Sequence, residues 1–72
     1  MKEYLIEVFW DNEAEAWGAV NDEIPLALES NSLDLLIDRV GVVTPEILAL
    51  NGKDTTKYTL RFRAERVMAA SS

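Results

Sequence analysis

The sequence contains no cysteine and no histidine. Disulfides, zinc sites built on either residue, thiol nucleophiles and imidazole bases are thereby excluded. Proline occurs twice and glycine three times, and no linker, repeat or low-complexity tract appears. Basic residues are scarce: seven face thirteen acids, for a net charge of −6 and a pI near 4.4. No apolar run approaches the ~20 residues that would cross a bilayer. No basic N-terminal segment leads into an apolar core, so a secretory signal is not expected. A cytoplasmic protein without membrane contact is predicted.

The chain has 72 residues, 49% hydrophobic and 28% charged, which is the composition of one globular domain rather than a disordered segment. One domain is expected over residues 1–68, with Ala69 to Ser72 as a frayed tail. Ordering a chain this short costs roughly 1.5 kcal/mol per residue, and so small a core barely offsets that. With disulfides and Cys/His metal sites excluded, self-association is the remaining common staple. A homo-oligomer, dimer or tetramer, is expected.

Charge is distributed unevenly. Residues 1–38 hold ten acids (Glu3, Glu7, Asp11, Glu13, Glu15, Asp22, Glu23, Glu29, Asp34 and Asp38) against Lys2 alone, a local −9. Residues 57–66 hold Lys57, Arg61, Arg63 and Arg66 against Glu65. An acidic surface repels phosphate backbones, which argues against direct nucleic-acid binding. It steers a basic partner, although the same charge also serves solubility alone.

Residues 3–10 are rich in aromatic and β-branched side chains and predict a strand. Tyr4, Ile6, Val8 and Trp10 fall on one face, and Glu3, Leu5, Glu7 and Phe9 on the other. Asp11 to Glu15 reads as a polar hairpin loop and residues 16–21 as the returning strand. In that strand the small Gly18 and Ala19 permit close approach, for instance of a helix. Asp22-Glu23-Ile24-Pro25 is a turn, with Pro25 unable to donate to a ladder, and residues 26–29 form a short third strand. Ser30-Asn31-Ser32 supplies N-cap candidates, with Asp34 in the first turn. Leu33, Leu36, Ile37, Val40, Thr44, Ile47 and Leu48 follow helical spacing and predict a helix over 32–50, kinked or loosened around Gly41–Pro45. Two helices, the second capped by Thr44, are the alternative. Asn51-Gly52 is a helix stop. Residues 57–67 form the last strand, with Tyr58, Leu60, Phe62 and Ala64 alternating against Thr59, Arg61, Arg63 and Glu65.

The result is an α+β domain in the order β-β-β-α-β. One helix covers one face of a four-stranded mixed sheet. Leu5, Glu7, Phe9, Arg61 and Arg63 are expected on the open face, with opposite charges paired between strands. Leu5 and Phe9 make that face the candidate surface for a partner or a second subunit.

Chemistry is sparse. Asp11, Glu13, Glu15, Asp22 and Glu23 lie in loops and would be the carboxylates of a metal-dependent nuclease, but nothing in their spacing forces convergence. A solvated acidic loop is preferred. Gly52-Lys53-Asp54-Thr55 matches only the end of a phosphate-binding loop and lacks the earlier glycine. A Ser-Lys pair has no motif here. Trp10 and Trp17 flank the hairpin loop and read as cross-strand partners rather than a recognition surface. Tyr58 and Phe62 alternate away from the arginines, unlike base-stacking aromatics. No catalytic residue, metal or cofactor is expected. The alternatives are a nuclease remnant using the acidic loop and a peptide binder using a sheet edge.

Several motifs recur in order. They are Trp10-Asp11 through Trp17, then Asp22-Glu23-Ile24-Pro25, then Leu33-x-x-Leu36, then Pro45-Glu46-Ile47-Leu48-x-x-Asn51-Gly52. Together they resemble the HicB-like antitoxin superfamily, in its short stand-alone single-domain branch, across residues 4–66. The resemblance implies a pared-down ribonuclease H-like core without catalytic carboxylates, its last strand parallel to its first. It also implies a bacterial, non-catalytic domain that binds and masks a small basic RNA-cleaving toxin of the HicA type. Most full antitoxins add a C-terminal DNA-binding segment; the chain ends at Ser72, so that role is not expected here. The family often places glycine after the Ile-Pro turn, where this chain has Leu26.

Overall fold

The computed structural model describes residues 1–66. Ala69 to Ser72, read above as a tail, lie outside the described residues. The elements are β1 (Lys2–Asp11), β2 (Ala16–Asn21), β3 (Leu26–Ser30), α1 (Leu33–Leu50) and β4 (Tyr58–Glu65). They build a four-stranded sheet in the order β3-β2-β1-β4. β1 pairs antiparallel with β2 and parallel with β4, and β2 pairs antiparallel with β3. The sheet is therefore mixed, as predicted. A parallel β1–β4 pair needs a crossover, and α1 supplies it.

Pairing fixes the two faces. Trp10 stands opposite Trp17, Val8 opposite Ala19, and Ile6 opposite Phe62. The helix-side face buries Tyr4, Ile6, Val8, Ala19 and Leu26 together with Leu36, Val40 and Leu48 of α1. Ile24, in the turn before β3, is buried with them. Cover is uneven, however. α1 lies against β3 and β2, and among the described residues none of its α-carbons comes within 8 Å of one in β4. Tyr58, Leu60 and Phe62 pack against the core but, on an edge strand, are only half-buried, and Ala64 is exposed.

Local signals set the helix ends. Ser32 is the N-cap, its Oγ accepting from the Leu35 amide at 3.3 Å. The Ser32 amide in turn donates to Ser30 Oγ at 3.2 Å. At the other end Gly52 adopts φ +67°. The Gly52 amide donates to the Ala49 carbonyl at 3.2 Å and the Lys53 amide to the Leu48 carbonyl at 2.9 Å. This is a Schellman closure, and its left-handed residue favours glycine. Gly52 and Lys53 thus belong to a helix stop and not to a phosphate-binding loop.

Several expectations are resolved. One helix runs unbroken through Gly41–Pro45 from Leu33 to Leu50, as the leading expectation had it, and not two. Thr44 is wholly buried and does not cap a second helix; its hydroxyl donates to the Val40 carbonyl at 2.6 Å. The last strand begins at Tyr58 rather than Lys57 and its pairing with β1 runs to Glu65, while Val67 lies outside the described residues. Gly18 is not approached by the helix, since it lies on the opposite face from Ala19.

The turn between β2 and β3 is organised by Asn21, which the sequence reading passed over. Its Oδ1 accepts from the amides of Glu23 at 2.7 Å and Ile24 at 3.0 Å. Its Nδ2 donates to the Leu5 carbonyl at 2.7 Å and ties the turn to β1. An asparagine bonded to the backbone two residues ahead is an Asx-turn. Asp22, Glu23, Ile24 and Pro25 follow it, and only Ile24 of the four is buried.

Candidate functional site

On the face away from α1, register aligns four columns. β1 presents Glu3, Leu5, Glu7, Phe9 and Asp11. β2 presents Ala16, Gly18 and Val20, β3 presents Ala27 and Glu29, and β4 presents Thr59, Arg61, Arg63 and Glu65. The predicted set Leu5, Glu7, Phe9, Arg61 and Arg63 is thus brought onto one surface. Five acids there face two arginines.

The arginines are engaged within the chain. Arg61 Nε lies 3.2 Å from Glu3 Oε1, and Arg63 bonds Glu7 directly across the strand pair. All four side chains are largely exposed. Exposed pairs of this kind contribute a few tenths of a kcal/mol each and are screened by salt. They fix side-chain positions more than they stabilise the fold.

Phe9 lies opposite Gly18. A β-carbon added at Gly18 would meet Phe9 Cζ at 2.6 Å, so the aromatic ring rests directly on the glycine backbone. Phe9 still exposes 41% of its surface, and Leu5 is half-buried. Two shallow grooves flank this strip. One, about 340 Å³, is lined by residues that include Glu7, Phe9, Asn12, Arg63 and Glu65. The other, about 260 Å³, is lined by Leu5, Glu7, Val20, Asn21, Asp22 and Glu23. Glu7 borders both, and the second is bordered by acids without an arginine.

The loop acids serve local roles. Asp11 Oδ1 accepts from the amides of Glu13 at 3.0 Å and Ala14 at 3.3 Å, closing the hairpin loop. Glu23 pairs with Lys2 at 2.5 Å, and this hydrogen bond raises the Lys2 ammonium above its ordinary value. Asp54 accepts from the Thr56 hydroxyl at 2.6 Å and amide at 2.7 Å, which holds its carboxyl below the usual range. Among the described residues no three acidic side chains gather as metal ligands. Nor, among the described residues, is any helix long and apolar enough to cross a membrane.

Trp10 and Trp17 are cross-strand partners, with ring centroids 5.5 Å apart and planes at 70°. The Arg66 guanidinium lies over both rings, 4.4 Å from the Trp10 centroid and 5.8 Å from that of Trp17. This cation–π seat escaped the sequence reading, because Arg66 lies beyond the alternating stretch of β4.

The family described as Domain of unknown function (DUF1902) matches residues 3–71. No curated protein matches the chain. Among solved structures the chain is similar to hypothetical protein TTHA1013 from Thermus thermophilus, an extremely thermophilic bacterium. The two are 29% identical with a TM-score of 0.72, over 99% of this chain and 100% of that one.

Proposed function

We propose, from the premise that this chain belongs to the DUF1902 family, that it is a non-catalytic interaction module. It assembles with itself and uses the open sheet face to capture a small basic protein, in the manner of a HicB-like antitoxin masking an RNA-cleaving toxin in the cytoplasm. The observation that supports this reading is the open face itself. Its central apolar strip, Leu5 and Phe9, is left uncovered by α1, and five carboxylates surround it against two arginines already bonded to Glu3 and Glu7. A basic surface meeting that face gains apolar burial at its centre and charge complementarity at its rim. The ordered motif series from Trp10 to Gly52 supports the antitoxin analogy.

The test is titration of the purified chain into a small basic toxin of the HicA type encoded beside its gene, with RNA cleavage as the readout. Micromolar or tighter binding that suppresses cleavage, and is weakened by Phe9→Lys, is the expected result. Absence of binding at that concentration removes the antitoxin reading. RNA or DNA cleavage by the chain itself with Mg²⁺ or Mn²⁺, abolished by Asp11→Asn or Asp22→Asn, would replace it with a nuclease.

A further inference from the structure

The sheet has two edges, and they are protected very differently. β3 is five residues long, and α1 lies against it. β4 is eight residues long and contains neither proline nor glycine. Its outer backbone groups have no partner strand in the sheet. Sheet edges are normally guarded by proline, bulges, free charges or a covering element. Among the described residues β4 has no proline, bulge or covering element, and its one unpaired charge is Glu65. Arg61 and Arg63 are held by exposed ion pairs to Glu3 and Glu7. At this edge Leu60 and Phe62 pack against the core yet remain half-buried, and Ala64 is exposed.

We infer that a second copy of this chain adds to the sheet along β4, antiparallel about a twofold axis at Arg63, making a continuous eight-stranded sheet. The inference rests on the self-assembly proposed above and gives it a location. Charge and strand overlap select the register. With Arg63 opposite its own counterpart, Arg61 stands opposite Glu65 of the second copy, twice by symmetry. On the helix side Phe62 then stands opposite Ala64, a large side chain against a small one, also twice. The register centred on Phe62 instead sets Arg61 against Arg63 at two places. The one centred on Arg61 gains no Arg–Glu pair. Opposite charges facing across strands attract and like charges repel. The register at Arg63 sets two Arg61–Glu65 pairs against one Arg63–Arg63 pair and joins residues 61–65 of both strands. The one centred on Ala64, with Arg63 opposite Glu65 twice, joins only residues 63–65. Charge and strand overlap together therefore favour the register at Arg63. The arrangement leaves Leu5 and Phe9 free for a different partner.

The native chain has no cysteine, so a single introduced thiol reports one contact. Directly opposed residues in an antiparallel pair lie about 4.5–5.5 Å apart at their α-carbons, within disulfide reach. Light scattering of the native chain should give at least twice its 8.1 kDa mass. Arg63→Cys should then form a covalent dimer on mild oxidation, whereas Glu29→Cys on the β3 edge should not. Glu65→Arg should weaken self-association by on the order of tenfold or more, since it turns two attractive contacts into repulsive ones. Arg61→Glu combined with Glu65→Arg should restore it. Each altered position is exposed, and the helical circular-dichroism signal verifies folding. An oligomer in which Phe9→Cys links and Arg63→Cys does not would overturn the edge assignment, and one in which Arg61→Cys links instead of Arg63→Cys would overturn the register, each while leaving self-assembly intact. A native 8.1 kDa monomer at every attainable concentration would overturn both.

Discussion

Replacing Pro45 by alanine should stabilise this protein, because the helix runs straight through a residue that cannot complete it. Pro45 lies well inside α1, which spans Leu33–Leu50. Its missing amide leaves the Gly41 carbonyl without its helical donor, and an interior proline costs about 3 kcal/mol relative to alanine. Two features reduce that cost here. Gly41 is exposed, so water satisfies its carbonyl. Pro45 is half-buried, so its ring contributes packing that alanine would forfeit. Together these leave a net gain of about 1–2 kcal/mol. For a domain of this size each 1 kcal/mol moves the Tm by about 4–8 °C, so a rise of about 5–15 °C is expected. Thermal unfolding followed by circular dichroism, at matched protein concentration because self-association stabilises, is the assay. Gly41→Ala serves as the control for helix propensity alone. A β-carbon there meets nothing within 4 Å, so a gain of about 0.5–1 kcal/mol is expected. An unchanged or lower Tm for Pro45→Ala, with Gly41→Ala behaving as stated, would refute the reasoning. It would mean that the pyrrolidine ring fills a gap whose packing outweighs the lost hydrogen bond.

Gly18→Ala should displace the Phe9 ring, giving at most about 1 kcal/mol net loss, since strand propensity partly offsets the re-exposed surface. Loss of the Phe9–Gly18 ring-current shifts in proton NMR is the sharper readout, and their persistence would contradict the stacked geometry. Asn21→Ala removes three hydrogen bonds at the β2–β3 turn and should cost about 2–3 kcal/mol by urea denaturation; a cost below about 0.5 would show that water replaces them. Asp54 has its folded pKa below its ordinary value, so its contribution is present above that value and fades as pH falls through the folded one. The stability difference between the native chain and Asp54→Asn should accordingly shrink in acid, and a difference that grows instead would reverse the assignment.

The strands and the helix were legible because their signals are periodic. Alternation placed Tyr4, Ile6 and Val8 under the helix and Glu7 away from it, and i, i+3, i+4 spacing found Leu36, Val40 and Leu48. Cap chemistry located Ser32 and Gly52. What escaped is not periodic. Asn21 acts through side-chain bonds to its neighbours' backbone, and its only trace is an asparagine just ahead of the Asp-Glu-Ile-Pro turn. The seat of Phe9 on Gly18 depends on register. It was within reach once Trp10 was set opposite Trp17, because that pairing forces Phe9 opposite Gly18. The lateral position of α1 was not legible at all. Amphipathicity says that a helix covers a sheet, but not which strands it favours. The helix lies against β3 and β2, and β4, at the opposite edge, keeps its helix-side residues only half-buried.

The ionic groups of the open face decide how a partner can use it. If Glu3 and Glu7 stayed bonded to Arg61 and Arg63 beneath a docked protein, two exposed pairs would become buried ones. Such pairs lose solvation that their mutual attraction does not always return. A basic partner offers an alternative, because its lysines or arginines can engage carboxylates outside those pairs. Asp22 borders the second groove, and Glu29 stands alone on β3. Binding by that route depends on unpaired, solvent-exposed acids and is sensitive to salt. Raising the ionic strength from ~0.05 to ~0.5 M shortens the screening length from about 14 to about 4 Å. It should slow association at least tenfold while leaving dissociation nearly unchanged, since steering acts on the encounter. Stopped-flow kinetics with the basic partner across that range separates the two cases. An association rate indifferent to salt would mean that Leu5 and Phe9 carry the recognition and that the acidity of the face serves solubility alone.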